Sequence, residues 1–554
     1  MKDFRKSVVY QIYPKSFKDS NGDGIGDLPG VTAKLDYLKQ LGVEYIWLNP
    51  FYVSPQKDNG YDVADYCAID ETFGTMTDFE ELVRAAKKLD IEIILDMVFN
   101  HTSTEHHWFK QALAGNERYK NYYIFLEPKE GREPTNWQSK FGGPAWQYVK
   151  EHNAYYLHLF DITQADLNWK NETVRQEIFD IVRFWLAKGV KGFRLDVINL
   201  ISKPDVYQDD NEGDGRRFYA DGQQIHEYLK ELNRETFGQS EDVITVGEMS
   251  STSLDNCIRY SNPAEKELSM VFSFHHLKVD YKDGEKWALM DFDFKQLKQI
   301  LNLWQVTMQE ENGWNALFWC NHDQPRIVSR FGDDRLYRKE SAKMLATTIH
   351  FMRGTPYIFQ GEEIGMTNPY FDAIEMYRDV ESINRYALLK QEGWQDQTII
   401  RVLQAKSRDN SRTPMQWDDS VQAGFTSGTP WINVNQNYTE INVKNDLQAK
   451  GSVFHYYRQL IKLRKEYDII AYGEYKPILE EHDQIFAYLR EYKNEKLLVI
   501  NNFYGRETVF TLPDDIEISR YKSSILITNY GDAGRDCKKV VLRPYESIVY
   551  HLVK

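Results

Sequence analysis

Eight short apolar runs, separated by stretches of helical periodicity, restrict the fold of this chain more than any other feature. They are VVYQIYP (8–14), VEYIWLNP (43–50), EIILDMVFN (92–100), GFRLDV (192–197), VITVGEM (243–249), LSMVFSF (268–274), NALFWCNHD (315–323) and YIFQGEE (357–363). Between them lie segments such as LPGVTAKLDYLKQLG and MTDFEELVRAAKKLD, whose apolar residues recur at three and four. Eight strand–helix units predict an α/β fold of the (β/α)8 TIM-barrel type, with the chemistry at the C-terminal ends of the strands. A doubly wound sheet competes, but no glycine-rich phosphate fingerprint follows any of the runs.

Residues 102–170 are too long for a loop and rich in Trp, Tyr, Gly and Pro, so a small inserted domain is expected after strand three, over the barrel mouth. Further insertions follow strand four (DVYQDDNEGDGRRFYADG) and strand eight (about 365–450). From about residue 477 the pattern becomes one of alternating strands without helices, in QIFAYLREY, KLLVINNF, ETVFTL and SIVYHLV. The expected division is therefore barrel (1–101), inserted domain (102–170), barrel again (171–476) and a C-terminal antiparallel β-sandwich (477–554).

A formal charge of −15 argues against nucleic acid or an anionic membrane as partner. Cys67, Cys257, Cys320 and Cys537 are widely spaced without a CxxC, which indicates neither a zinc site nor a disulfide framework and suits a cytoplasmic protein. The N-terminal apolar run is broken by Gln11 and Pro14, so it does not read as a signal peptide. No window approaches the ~18 apolar residues of a membrane span. A monomer or weak oligomer is expected, and the 36 Tyr and 13 Trp suggest ring surfaces of the kind that cover sugars.

Period-2 alternation in GFRLDV points Arg194 and Asp196 to the same face. Alone, they read either as a satisfied ion pair within a sheet, the less favoured alternative, or as an anionic nucleophile held ionised by its arginine. Two further acids tip the balance: Glu248 ends strand five in TVGEM, and Asp323 ends strand seven in CNHD. Three carboxylates at one mouth repel one another unless a ligand or a metal needs them. Two carboxyls flanking a glycosidic bond are the minimal equipment for cleaving it. Asp96, Asn100 and His101 in DMVFNH, and His322 before Asp323, lie on the same rim and could bond sugar hydroxyls.

These segments resemble the conserved regions of the α-amylase superfamily of glycoside hydrolases, in the order DMVFNH, GFRLDV, TVGEM and CNHD, with QADLNW (164–169) resembling a fifth. The resemblance implies a retaining mechanism with Asp196 as nucleophile, Glu248 as acid/base and Asp323 as transition-state stabiliser. His101, His322 and Arg194 would hold the sugar. NGYDVADY and SRTPMQWD resemble the oligo-1,6-glucosidase branch, which implies that Asp62 and Arg412 pair around a terminal glucose, making the enzyme exo-acting, and that Tyr61 stacks beneath the ring. Val197 is associated by the same resemblance with α-1,6 preference.

DSNGDGIGD (19–27) places oxygen donors at alternate positions, with Gly24 where a Ca²⁺ loop turns sharply. Gly30 stands at the twelfth position, so this is no EF-hand, and a polar turn with Asx bonds remains the alternative. The family branch implies a structural Ca²⁺ bound by Asp19, Asn21, Asp23, Asp27 and the Ile25 carbonyl, and no organic cofactor.

Within the superfamily, GRRFYADG, GEMSSTS, FHHLKVDYKDGEKW and NHDQPRIVSRFGDD look like the phospho-α-(1,1)-glucosidases, which implies trehalose 6-phosphate as substrate, cut to glucose and glucose 6-phosphate. With the minus-one pocket closed around an unmodified glucose, the phosphate falls on the leaving sugar, and Lys278, Lys286 and Arg216 are the expected ligands. Two alternatives stand: an oligo-1,6-glucosidase acting on isomaltose and short isomalto-oligosaccharides, and a noncatalytic binding or assembly relative of the fold.

Overall fold

The computed structural model describes residues 2–554. Its centre is a ring of eight parallel strands: β1 (Val9–Ile12), β2 (Tyr45–Leu48), β3 (Glu92–Met97), β4 (Gly192–Leu195), β5 (Ile244–Glu248), β6 (Met270–Phe272), β7 (Ala316–Leu317) and β8 (Thr355–Phe359). Their order is β6-β5-β4-β3-β2-β1-β8-β7, and a parallel bridge from Val271 to Asn315 joins the two ends. The expected TIM barrel is thus present, each strand falling largely within its apolar run. Only Glu92 of these strand residues is not buried, which is why the runs read as continuously apolar rather than alternating. β8 starts two residues before the run that announced it, and β7 stops at Leu317, leaving CNHD in a loop.

Gly192 opens β4 because nothing larger fits: a Cβ there would lie 2.8 Å from Ile94 and 3.0 Å from Ile244 on the flanking strands. The helices behave as their periodicity predicts. Glu172–Ala187, which leads into β4, is capped by the Asn171 side chain and buries Val174, Ile178, Phe179, Ile181, Val182 and Trp185. Each such side chain contributes about 1.5–3 kcal/mol of apolar burial, so truncating Trp185 would do most to loosen this helix. The stretch 28–42 forms two helices, Leu28–Ala33 and Leu35–Leu41, rather than one, with the break at Lys34.

The inserted segment leaves and returns side by side. His101–Ser103 pairs antiparallel with Gln164–Asp166, and a three-stranded sheet of Phe125–Leu126, Ala154–Leu157 and Trp146–Val149 lies beyond. Its core (Ile124, Trp137, Trp146, Leu157, Leu159) is shared with Val197, Leu200 and Tyr219 from the loop after β4. Gly215 in that loop has φ +94°, and a Cβ on it would fall 2.3 Å from the Trp137 ring. Insertion and loop therefore form one packed roof.

The C-terminal part is an antiparallel sheet of β9 (Glu474–Ile478), β10 (Ile485–Tyr492), β11 (Glu495–Asn502), β13 (Lys522–Thr528) and β15 (Ser547–Val553), faced by a ribbon of β12 (Thr508–Thr511) and β14 (Lys539–Leu542). Alternation along β10 divides its side chains between two cores. Ile485, Ala487 and Leu489 face the ribbon, while Phe486 and Tyr488 join the barrel core. No helix among the described residues is long and apolar enough to cross a membrane.

Candidate active site

The register of the barrel assembles the site. Arg194 on β4 lies beside Asp96 on β3 and Val246 on β5, so Asp196 and Glu248, each two residues further along, project from the same faces one layer higher. The guanidinium is 1 % exposed and holds all three acids, at 2.7 Å to Asp96, 2.5 Å to Asp196 and 2.5 Å to Glu248. It sits over the Trp47 ring, 5.1 Å from its centroid. Asp96 accepts further hydrogen bonds from Tyr61 Oη (2.8 Å) and Trp47 Nε1 (3.1 Å).

One buried cation serves three carboxyls, and the electrostatics follow. Burial, opposed by Arg194, pushes Asp96 up to about 6. Burial together with Glu248 and Asp96 outweighs Arg194 at Asp196 and raises its carboxyl well above the usual range. Arg194 favours the ionised form, as expected, but burial and the two neighbouring acids oppose it. Asp196 and Glu248 share the Arg194 guanidinium, and the nearby Glu248 is one cause of the rise at Asp196.

Asp323 behaves oppositely. Burial would raise it, but His322, Arg408 and Arg412 hold it well below the ordinary carboxylate range. His322 is itself kept neutral by burial, so the two arginines, at 2.6 Å (Arg412) and 3.4 Å (Arg408), are the effective cause. His322 Nδ1 meets Gln11 Nε2 at 2.9 Å, and that amide is oriented by Asn49 Oδ1 at 2.8 Å. The neutral ring therefore carries its proton on Nε2, which lies 3.3 Å from Asp323 Oδ2 without making a hydrogen bond to it. The ring stacks on Tyr61, centroids 5.1 Å apart and planes 4° from parallel. His101 lines the same space, but its Nε2 meets the Tyr61 carbonyl and Gln164 Nε2, both at 3.1 Å.

The cavity enclosed by Asp58, Tyr61, His101, Asp196, Glu248 and Asp323 measures about 220 Å³, roughly the space of seven waters. A larger cleft of about 830 Å³ lies between the helix Val453–Glu466 and the C-terminal sheet. Its lining includes Lys343, Lys450, Arg458 and Lys462 and no carboxylate, so it lacks the groups that cleave a glycoside.

Two expected partners do not meet. Asp62 is fully buried and accepts from Ser54 Oγ (3.0 Å), Lys57 N–H (2.8 Å) and Asp58 N–H (3.0 Å), which makes it the brace of a turn. Arg412 binds Asp323 and the His322 carbonyl, the latter at 2.7 Å. The ion pair across the cavity is instead Asp58 to Arg408, at 3.0 Å, and Arg408 also packs on Phe141 of the inserted segment. Burial, against the pull of Arg408 and Arg412, pushes Asp58 up to about 7. As pH falls through that value Asp58 takes a proton and the bridge is lost. The expected result is an acid limb near pH 7 in kcat/KM that is absent from Asp58→Asn, the variant itself losing roughly thirtyfold or more.

The candidate phosphate ligands also separate. Lys286 is paired with Glu381 at 2.7 Å, and Arg216 with Asp214 at 2.7 Å on an exposed helix start. Lys278 reaches solvent at the rim, yet the surrounding protein, with Arg216 nearby, still lowers its ammonium. Lys140, in the inserted segment, lines the cavity beside Glu248 and meets Ser250 Oγ at 3.2 Å. The sequence reading missed Lys140, Asp58 and Arg408; the last two lie in DNGYD and SRDNSR, four residues from the Asp62 and Arg412 it named.

In the loop 19–27, Asp19 accepts backbone N–H bonds from Asn21, Gly22 and Gly24, Asp23 accepts from Ile25, and Asp27 caps the next helix at Gly30. No three His, Cys, Asp or Glu side chains converge as a metal cluster among the described residues. The donors are nonetheless all oxygens, with lone pairs beyond those bonds, and that chemistry fits a hard cation.

Comparison with known proteins places this geometry. Residues 11–473 match the model of the alpha-amylase catalytic domain, and 485–549 that of the alpha-amylase SusG C-terminal domain. The chain is 58 % identical over 553 residues to the trehalose-6-phosphate hydrolase of Bacillus subtilis, covering 100 % of this chain and 98 % of that one. It is 50 % identical over 556 residues to the oligo-1,6-glucosidase of Bacillus cereus, covering 99 % of each. The crystal structure of Bacillus licheniformis trehalose-6-phosphate hydrolase superposes with a TM-score of 0.96 at 59 % identity, covering 100 % of both chains.

Proposed function

This chain belongs to the α-amylase family, and from that premise we propose that it is a retaining, exo-acting glycoside hydrolase that cleaves trehalose 6-phosphate to glucose and glucose 6-phosphate. The observation that carries the substrate is the full-length identity to a hydrolase of that name, higher than to the oligo-1,6-glucosidase.

The chain's own residues account for each step. Asp196 attacks the anomeric carbon, and Glu248 protonates the leaving oxygen. One guanidinium holds both carboxyls at 2.5 Å, which keeps them near one another, whereas an inverting pair stands ~6.5–9.5 Å apart to admit a water; this supports direct attack and a covalent glycosyl intermediate. Water then attacks that intermediate with Glu248 as base. The first step requires Asp196 ionised and Glu248 protonated. Asp323, kept ionised by its arginines, faces the positive charge that develops on the ring, while His322 Nε2–H donates to a ring hydroxyl. The Asp58–Arg408 bridge closes the far side of the cavity, which limits it to one terminal sugar.

The test is kcat/KM on trehalose 6-phosphate, trehalose and isomaltose. The phosphorylated sugar is expected to exceed both others by at least tenfold; isomaltose as the best substrate would transfer the assignment to the oligo-1,6-glucosidases.

Asp19, Asn21, Asp23, the Ile25 carbonyl and Asp27 are the proposed ligands of one structural Ca²⁺, tying the chain after β1 to the segment around Thr426, whose hydroxyl meets Asp19. Excess chelator is expected to lower the melting temperature by several degrees. An unchanged melt, with no calcium by elemental analysis, would remove this ion from the account.

A further inference from the structure

We propose that the cleft of about 830 Å³ between the helix Val453–Glu466 and the C-terminal sheet is a binding site for a small organic phosphate carrying two or more phosphate groups, separate from the active site. It shares no lining residue with the active-site cavity. Its volume falls within the range of small-molecule sites, ~300–1,000 Å³, and the junction between two parts of a molecule is a place such sites favour.

Charge decides the class of ligand. Acids outnumber Lys and Arg in this chain by 83 to 68, yet the charged residues lining the cleft are Lys343, Lys450, Arg458 and Lys462, with no acid among them. Among the described residues, Lys343, Lys450 and Arg458 have no carboxylate within ion-pair distance, and Lys462 reaches Glu466 only at 3.6 Å. Walls of one sign focus their field into the space they enclose and draw in counter-charge. Two phosphate groups, each carrying about −1.5 to −2 near neutral pH, balance four cations, whereas one would leave half of them unopposed.

The cations are also fixed in place. Lys343, on the helix Arg338–His350, is 8 % exposed; its ammonium donates to the Gly451 carbonyl at 2.5 Å and lies 5.7 Å from the centroid of the Tyr456 ring. Burial lowers that ammonium, Lys339 and Arg338 push the same way, and Glu340 and Asp446 oppose them, so an anion entering the cleft favours its charged form. Arg458 and Lys462 stand four residues apart on the facing helix, about 6 Å along its axis, which suits a ligand longer than one phosphate. Gly451 and Gly531 add backbone N–H groups that have no hydrogen-bond partner among the described residues, and a glycine has no side chain to screen them from an anion. The sheet side is held by Asn529, whose amide donates to the Glu340 carbonyl at 3.0 Å and the Tyr545 carbonyl at 2.7 Å, and by Tyr530, whose hydroxyl donates to the Pro544 carbonyl at 2.7 Å. Because the walls come from both the barrel helices and the C-terminal sheet, a bound polyanion strengthens their junction.

The experiment is isothermal titration and thermal melting of the full chain with fructose 1,6-bisphosphate, with ATP free of divalent metal and with glucose 6-phosphate, against sulfate at matched ionic strength. At least one of the two polyphosphates is expected to bind about tenfold or more tightly than glucose 6-phosphate and, at about 5 mM, to raise the melting temperature by about 2 °C or more. The order of the two distinguishes a sugar bisphosphate from a nucleotide. Arg458 and Lys462 are exposed, so the double variant Arg458→Gln/Lys462→Gln should keep its unliganded melt and its kcat/KM on trehalose 6-phosphate while losing about tenfold or more in affinity for the polyphosphate. Lys450→Gln, in the turn before the helix, is the independent check and should weaken binding in the same direction. Undiminished affinity in both variants overturns the proposal, because the ligand then sits elsewhere. Binding no stronger than that of sulfate overturns it too, as does tighter binding of a glutamate-rich peptide, which would give the cleft to an acidic protein segment.

Discussion

Asp196→Asn is expected to melt like the wild type and to lose roughly four to six orders of magnitude in kcat on trehalose 6-phosphate, or about 5–8 kcal/mol of transition-state stabilisation. The fold should survive because the amide keeps the shape of the carboxyl and Arg194 keeps Asp96 and Glu248 as partners. One buried charge interaction is removed, but Asp196 is a site where burial already disfavours the anion, so little native stability depends on it. What disappears is the nucleophile. The companion measurement is NMR of the first glucose released by the wild type, expected as the α anomer; the β anomer would exclude the covalent route altogether.

Glu248→Gln should show a loss that depends on the leaving group. A sugar hydroxyl is a poor leaving group and needs the proton, so cleavage of trehalose 6-phosphate is expected to fall by roughly three to four orders of magnitude. A dinitrophenyl α-glucoside leaves without help, so its first step should slow by less than about tenfold, after which the glycosyl-enzyme accumulates for want of a base and a burst appears. The neutral side chain can still accept from Arg194 and from the Val197 N–H, which now donates to Glu248 at 3.2 Å. Equal slowing of both substrates in the first step would mean that Glu248 positions Asp196 and does not deliver the proton.

The barrel was legible because its strands are buried on both faces, which writes each one into the sequence as an uninterrupted apolar run. Asp196 and Glu248 were legible because strand ends are fixed by those runs, whereas Asp323 lies in a loop beyond the end of β7 and was found through the apolar run that continues to it. β9, β13 and β14 were not legible: each has exposed positions and carries charged residues that blur the alternation. The Asp58–Arg408 bridge failed for a different reason. Asp58 and Asp62, like Arg408 and Arg412, are four residues apart in the chain, and no local pattern says which member of each pair faces the cavity. Lys140 could not be found because it reaches the site through the packing of an inserted segment, and the pairing of Lys286, which lines the cavity, could not be foreseen because its partner Glu381 is supplied by the insertion after β8.

Val197, directly after Asp196, holds a left-handed backbone at φ 36°, ψ 39°. A β-branched residue there carries about 1–3 kcal/mol of strain that a glycine would not. That strain bears on adaptation to heat. The neighbouring contacts show why it persists: the Asp196 N–H reaches the Met97 carbonyl at 2.8 Å, the Val197 N–H reaches Glu248, and the Val197 side chain is built into the roof. Relaxing the turn would free the aspartate from that grip. A lineage moving to hotter surroundings would therefore have to gain its thermal endurance elsewhere in the molecule, since the substitution that most directly relieves this strain also releases the residue whose aim the chemistry depends on.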